Sequence, residues 1–155
     1  MGYAERVLQT GETIAYRARL HWIVYFGGIV CVAAAVILAI AAVVLHAEAV
    51  RVGLLLAAAI ALFLGLFQLL RAWFVVANTE IIVTTRRVIY KTGFISRNTV
   101  EMNLDKVESV LVQQGLLGRM LDFGTVIVRG VGSGLEPMDR VAAPLELHRN
   151  IGPTA

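Results

Sequence analysis

WIVYFGGIVCVAAAVILAIAAVVL at residues 22–45 and VGLLLAAAIALFLGLFQLL at residues 52–70 decide how this chain is read. No charged residue lies between Arg19 and Glu48, and between Arg51 and Arg71 only Gln68 is strongly polar. A hydrocarbon layer about 30 Å thick is crossed by roughly 20 apolar residues in a helix. These runs hold 24 and 19 residues, so each is long enough alone. The reading is a transmembrane hairpin over residues 22–78, with spans at 22–45 and 52–76 and a short polar loop at 46–51. The absence of Asp, Glu, Lys and Arg from both quoted runs argues against a proton relay or ion path, which needs such groups.

Working outward, residues 1–21 form an N-terminal interfacial segment. Thr13 to Arg19 alternates imperfectly and reads either as a short strand after Gly11 or as an amphipathic surface segment. Arg17, Arg19, His21, Trp22, Tyr25 and Phe26 make a basic and aromatic collar, the composition favoured at a bilayer surface. The hairpin loop carries Arg51 alone, whereas Arg6, Arg17, Arg19, Arg71, Arg86 and Arg87 flank the spans on the other side. The positive-inside bias therefore predicts both termini and the C-terminal domain on the cytoplasmic side.

Within the spans, small residues recur at four-residue spacing. Gly27, Cys31, Ala35 and Ala39 line the first, and Gly53, Ala57, Ala61 and Gly65 the second. Such ridges let helix backbones approach closely in lipid.

From Thr79 onward the texture changes. Short β-branched runs at 81–84, 86–91, 99–104, 107–113 and 125–129 are separated by Gly, Asn and Asp, the pattern of antiparallel hairpins. Phe94-Ile95 follows the Gly93 break, and a last strand falls near 138–141. Leu116 to Leu121 reads as a short helical turn. Pro144 suits the first turn of a final helix at 145–150. Residues 79–155 carry nine basic and eight acidic side chains. That balance argues against nucleic-acid binding, which needs a concentrated basic face.

IVTTRRVIYKTGFISR (82–97), EMNLDKVESV (101–110) and QQGLLGRMLDFG (113–124) resemble the bacterial pleckstrin-homology-like (PH) domains of small membrane proteins. LQTGE (8–12) and the hairpin ahead of the domain match that layout too. The resemblance implies a partly open barrel or a pair of orthogonal sheets closed at one end by the C-terminal helix. The expected fold is thus an α+β membrane protein: a two-helix transmembrane hairpin, then a small antiparallel β PH-like barrel or sandwich at 79–155 with a short C-terminal helix.

Two surfaces are candidates for contact. Arg86, Arg87, Lys91 and Arg97 are either anionic lipid contacts, with Arg87 and Lys91 on one strand face, or ordinary structural and solvated residues. Leu116, Leu117, Arg119, Met120 and Leu121 either plug one end of the barrel or present an apolar knob to a partner. Their exposure distinguishes the two.

No catalytic, metal or cofactor motif emerges. Cys31 is the sole cysteine, and His21, His46 and His148 are scattered. Asp105, Glu108 and Asp122 lack ligand spacing. Gly130-x-Gly132-x-Gly134 has neither the dinucleotide spacing nor a following long helix. The function expected is a non-enzymatic, membrane-anchored scaffold or interaction protein, acting by self-association as a homo-oligomer or by docking to another membrane protein. The alternative is a module that binds anionic lipid head groups.

Overall fold

The computed structural model describes residues 11–45, 47–93, 98–131, 133–134 and 137–152. His46, Phe94 to Arg97, Gly132 and the LQT of the 8–12 motif lie outside them. The chain divides into two compact units, one comprising Trp22–Phe74 and the other Met1–His21 with Val75–Ala155.

In the first unit a 3-10 turn, Trp22–Tyr25, leads into α1, Phe26–Val44; α2 runs over Glu48–Asn78, its last residues from Val75 falling in the other unit. Both helices are long and apolar enough to cross a membrane. Most of their large side chains are exposed: Val43 at 77%, Phe63 at 71% and Ile37 at 65%. What α1 buries is Gly28, Ala35 and Ala42, and what α2 buries is Ala58, Gly65 and Ala72.

Those positions recur every seven residues on both helices, which is a heptad seam rather than a four-residue ridge. A four-residue step overshoots a helical turn by about 40°, so such a ridge drifts off the contact face within a few turns. Of the ridge residues, Ala35 and Gly65 are buried and Cys31, Ala39 and Ala61 are half-buried, while Gly27, Gly53 and Ala57 are exposed. The backbones approach closely at Gly65, where a Cβ would meet Val32 Cγ2 at 2.8 Å and Val32 N at 3.0 Å. At Gly28 a Cβ would lie 2.7 Å from two Leu69 side-chain carbons. Gln68 Nε2 donates to Cys31 Sγ at 3.4 Å, adding a polar tie between the helices.

In the second unit the strands among the described residues are β1 (Ile14–Ala18), β2 (Glu80–Thr84), β3 (Arg87–Thr92), β4 (Asn98–Asn103), β5 (Val107–Gln113), β6 (Phe123–Gly130), β7 (Ser133–Gly134) and β8 (Met138–Ala142). α3 covers Leu116–Leu121 and α4 covers Pro144–Ile151. One antiparallel sheet has the order β1-β2-β3-β4; in the other, β6 pairs with β5, β7 and β8.

The N-terminal segment takes the strand alternative. Ala18 is paired with Ile81 and Arg17 with Ile82. The β domain therefore begins ahead of the hairpin, not at Thr79, and the whole hairpin is an insertion between β1 and β2. Beyond β1 the same segment reaches the other sheet. His21 N donates to the Arg140 carbonyl at 2.7 Å, and Ala142 N donates to the Arg19 carbonyl at 2.9 Å. A single bridge, Leu20 with Val141, joins the sheets at this corner, and they do not close into a continuous barrel.

Alternation produces the core. In β6, Gly124, Val126 and Val128 face inward while their neighbours are less buried, as the two-residue period of a strand requires. Val126 and Val128 meet Ile81, Val83, Val88, Met102, Met138 and Val141, with Leu147 and Ile151 of α4 in the same cluster.

Candidate functional site

Of the four basic residues proposed from sequence, the three described ones have different surroundings. Arg87 and Lys91 do share one face of β3, four residues apart. Arg87, however, is committed to an internal network. Its Nε and Nη2 donate to Glu12 at 3.0 and 2.9 Å, and its Nη1 donates to Glu101 at 2.7 Å. The Glu12 side chain is wholly buried, and the Arg87 side chain is 11% exposed. Thr84 Oγ1 donates to Glu12 at 2.6 Å and accepts from the backbone N–H of Arg87 at 3.0 Å. The bonds to Glu12 first, with burial opposing and the charge of Glu101 adding, hold the Arg87 guanidinium above its ordinary pKa. A bidentate, desolvated guanidinium of this kind is a fold element, which overturns the expectation of Arg87 as a lipid contact. Arg86 is exposed at the β2–β3 turn, and Lys91 is half-buried opposite Glu80 and Thr99. Arg97 lies outside the described residues.

The apolar cluster behaves in the other way. Leu116, Met120, Leu117 and Leu121 are 83%, 82%, 68% and 40% exposed, and Arg119 is exposed beside them. α3 does not plug the barrel, because β5 and β6 pair directly from Gln113 with Thr125 onward. The helix sits on their connection, outside both sheets, and the interior position is filled by Leu147 and Ile151 of α4.

α3 is nonetheless rigidly held. Its C-cap, Asp122, adopts a left-handed φ of 56°, and Gln114 Nε2 donates to the Phe123 carbonyl at 3.2 Å. Gly118 is the one buried residue of the helix, and a Cβ there would lie 2.6 Å from the Phe123 carbonyl oxygen. Gly118→Ala is accordingly expected to cost about 1–3 kcal/mol through forced displacement. Amide hydrogen exchange should show faster exchange confined to residues 112–125. Unchanged protection there would contradict the close approach.

The end of α3 adjoins the place where the chain leaves this unit. Phe123, two residues after Leu121, stacks on His21 with ring centroids 5.2 Å apart and 25° between planes. Ala143 N donates to the Asp122 carbonyl at 3.0 Å, fixing α4 to the same corner. Sequence reasoning missed Glu12 and Thr84 as partners, and Phe123, and it placed His21 in the membrane collar rather than buried against Phe123. The first two are separated by 72 residues, and no local periodicity reports such a pairing.

Among the described residues, no group of three or more His, Cys, Asp or Glu side chains could hold a metal ion. No curated protein and no solved structure matches this chain significantly. The family model for the bacterial PH domain matches residues 18–152, which takes in the hairpin together with β2 to β8. The chain belongs to the bacterial PH domain family.

Proposed function

We propose that this protein is a non-enzymatic, membrane-anchored scaffold. The hairpin crosses the bacterial inner membrane twice. The two sheets and α4 form a partly open PH-like barrel on the cytoplasmic side, and the domain works by self-association or by docking to another membrane protein. The observation that carries this reading is the insertion of the hairpin between β1 and β2. Only Arg19 to His21 separate β1 from the apolar turn at Trp22, and only Thr79 separates α2 from β2. A residue extends the chain by at most about 3.6 Å, so both tethers are short. A domain tied at two points searches the membrane plane, not the cytoplasm. The outer sides of β4 and β5, each at one edge of its sheet among the described residues, are suited to strand addition by a partner.

Anionic lipid binding is the weaker reading, since Arg87 is already paired and only Arg86, Lys91 and Arg97 of the basic candidates are left to it. The test is the mass of the full-length protein in mild detergent, by light scattering, with co-purifying proteins identified. A discrete oligomer or a stoichiometric membrane-protein partner is expected. A monomer without a partner overturns the scaffold reading.

A further inference from the structure

We propose that α3 is a foot that inserts into the bilayer interface. The inference rests on the reading that the hairpin crosses a membrane, and it names the phase that covers Leu116, Leu117, Met120 and Leu121. Exposed apolar side chains are ordinary when scattered, but a contiguous group on a rigid element marks an interaction surface. Here four of the six residues of α3 are large, apolar and exposed. Leu145, 52% exposed, lies two residues beyond Ala143, whose N–H is bonded to the C-cap of α3.

Position selects the bilayer as the occupant. Phe123 stacks on His21, and His21 is followed directly by Trp22, the first residue of the apolar run. Adjacent Cα atoms are about 3.8 Å apart. The end of α3 is thus held, by contacts inside the β domain, close to the point where the chain passes into the apolar phase. That phase is always present at this distance, whereas a second copy has to be found by diffusion.

Charge is secondary here. The exposed residues Arg17, Arg19, Arg119, Arg140 and Arg149 lie on the elements that meet at this corner, against the exposed residues Asp122, Asp139 and Glu146. That basic excess is small beside four large exposed apolar side chains, so apolar contact dominates recognition. An interfacial helix buries its apolar face roughly 5–10 Å into the head-group boundary. Insertion of α3 therefore depends little on anionic lipid or on salt, unlike contact through a basic patch.

The test uses the full-length chain carrying Cys31→Ala, which removes the only native cysteine. Met120→Cys or, separately, Leu117→Cys is labelled with an environment-sensitive fluorophore and reconstituted into neutral phosphatidylcholine vesicles. The expected result at both sites is blue-shifted emission, several-fold stronger quenching by lipid spin-labelled near the head group than by aqueous iodide, and no change at high salt. Water-like emission with iodide quenching at both sites overturns the proposal. A blue shift that vanishes when labelled protein is diluted with unlabelled lipid and protein overturns it in favour of a second copy. Val131→Cys, on the β6–β7 turn, should remain aqueous; lipid quenching there as strong as at α3 would also overturn the proposal. Ile60→Cys, in the middle of α2, separates the two readings. Quenching by a deep acyl-chain spin label supports the membrane-crossing hairpin even when α3 fails the test. Its loss removes the hairpin reading itself.

Discussion

Replacing Arg87 with alanine is expected to destabilise the β domain by about 3–5 kcal/mol, the range for a buried ion pair that loses one partner. Glu12 is wholly buried. Without Arg87 its carboxylate keeps only the Thr84 hydroxyl among these partners. The loss is a large share of the roughly 5–15 kcal/mol available to a domain. It would release the N-terminal strand first, because Glu12, together with the Thr13–Thr85 bonds, ties the chain ahead of β1 to the β2–β3 hairpin. Both tryptophans, Trp22 and Trp73, lie in the hairpin unit, so their fluorescence does not report this transition. Far-UV circular dichroism of the full-length protein in detergent, followed through a urea titration, is the measurement.

Arg86→Ala, one residue away and exposed, should shift the midpoint by no more than about 0.5 kcal/mol. Arg87→Lys should recover only part of the loss, because an ammonium cannot reproduce the fork that spans both Glu12 oxygens. Glu12→Gln combined with Arg87→Met should cost less than the two single changes together, as coupled sites require. A wild-type midpoint in Arg87→Ala, appearing together with lost affinity for anionic vesicles, would return Arg87 to the lipid surface and refute the network.

Gly65→Leu is expected to separate the hairpin helices, at a cost toward the upper end of the roughly 1–3 kcal/mol range for overpacking. The Cβ alone would stand 2.8 Å from Val32 Cγ2, 3.0 Å from Val32 N and 3.2 Å from Cys31 Cβ. Backbone stands in the way, so no rotamer change relieves the clash. Gly53→Leu is the matched control, since nothing lies within 4 Å of its position. Here the tryptophans are useful, because unfolding of the hairpin in mixed micelles can be followed by their emission. Loss of stability in Gly65→Leu with a silent Gly53→Leu is the expected pair of results. Equal effects at the two glycines would reject the seven-residue seam and favour the four-residue ridge.

Most elements of the fold were legible because their causes are local. Uninterrupted apolar length marks the two helices of the hairpin. The two-residue alternation of β6 and the Gly93 break mark strands and turns, and Pro144 places the last helix. The candidate surfaces were legible as residue types but not as environments. Arg87 and Arg86 are neighbours with the same chemistry, yet one is locked in a buried network and the other is exposed. Leu116 to Leu121 carries the composition of a core plug, and its exposure follows only from the direct pairing of β5 with β6.

The sequence by itself determined the hairpin, the strand-rich domain after it and the small residues available for helix contact. Periodicity within a few turns or a few strand residues carries that much, because it reflects which face of one element is buried. The tertiary structure decided which small residues form the seam. It also decided that β1 belongs to the domain on the far side of the hairpin, that Glu12 captures Arg87, and that the LLGRML turn faces outward. Each of these depends on two segments distant in the chain meeting at a set register, and neither segment encodes that meeting alone.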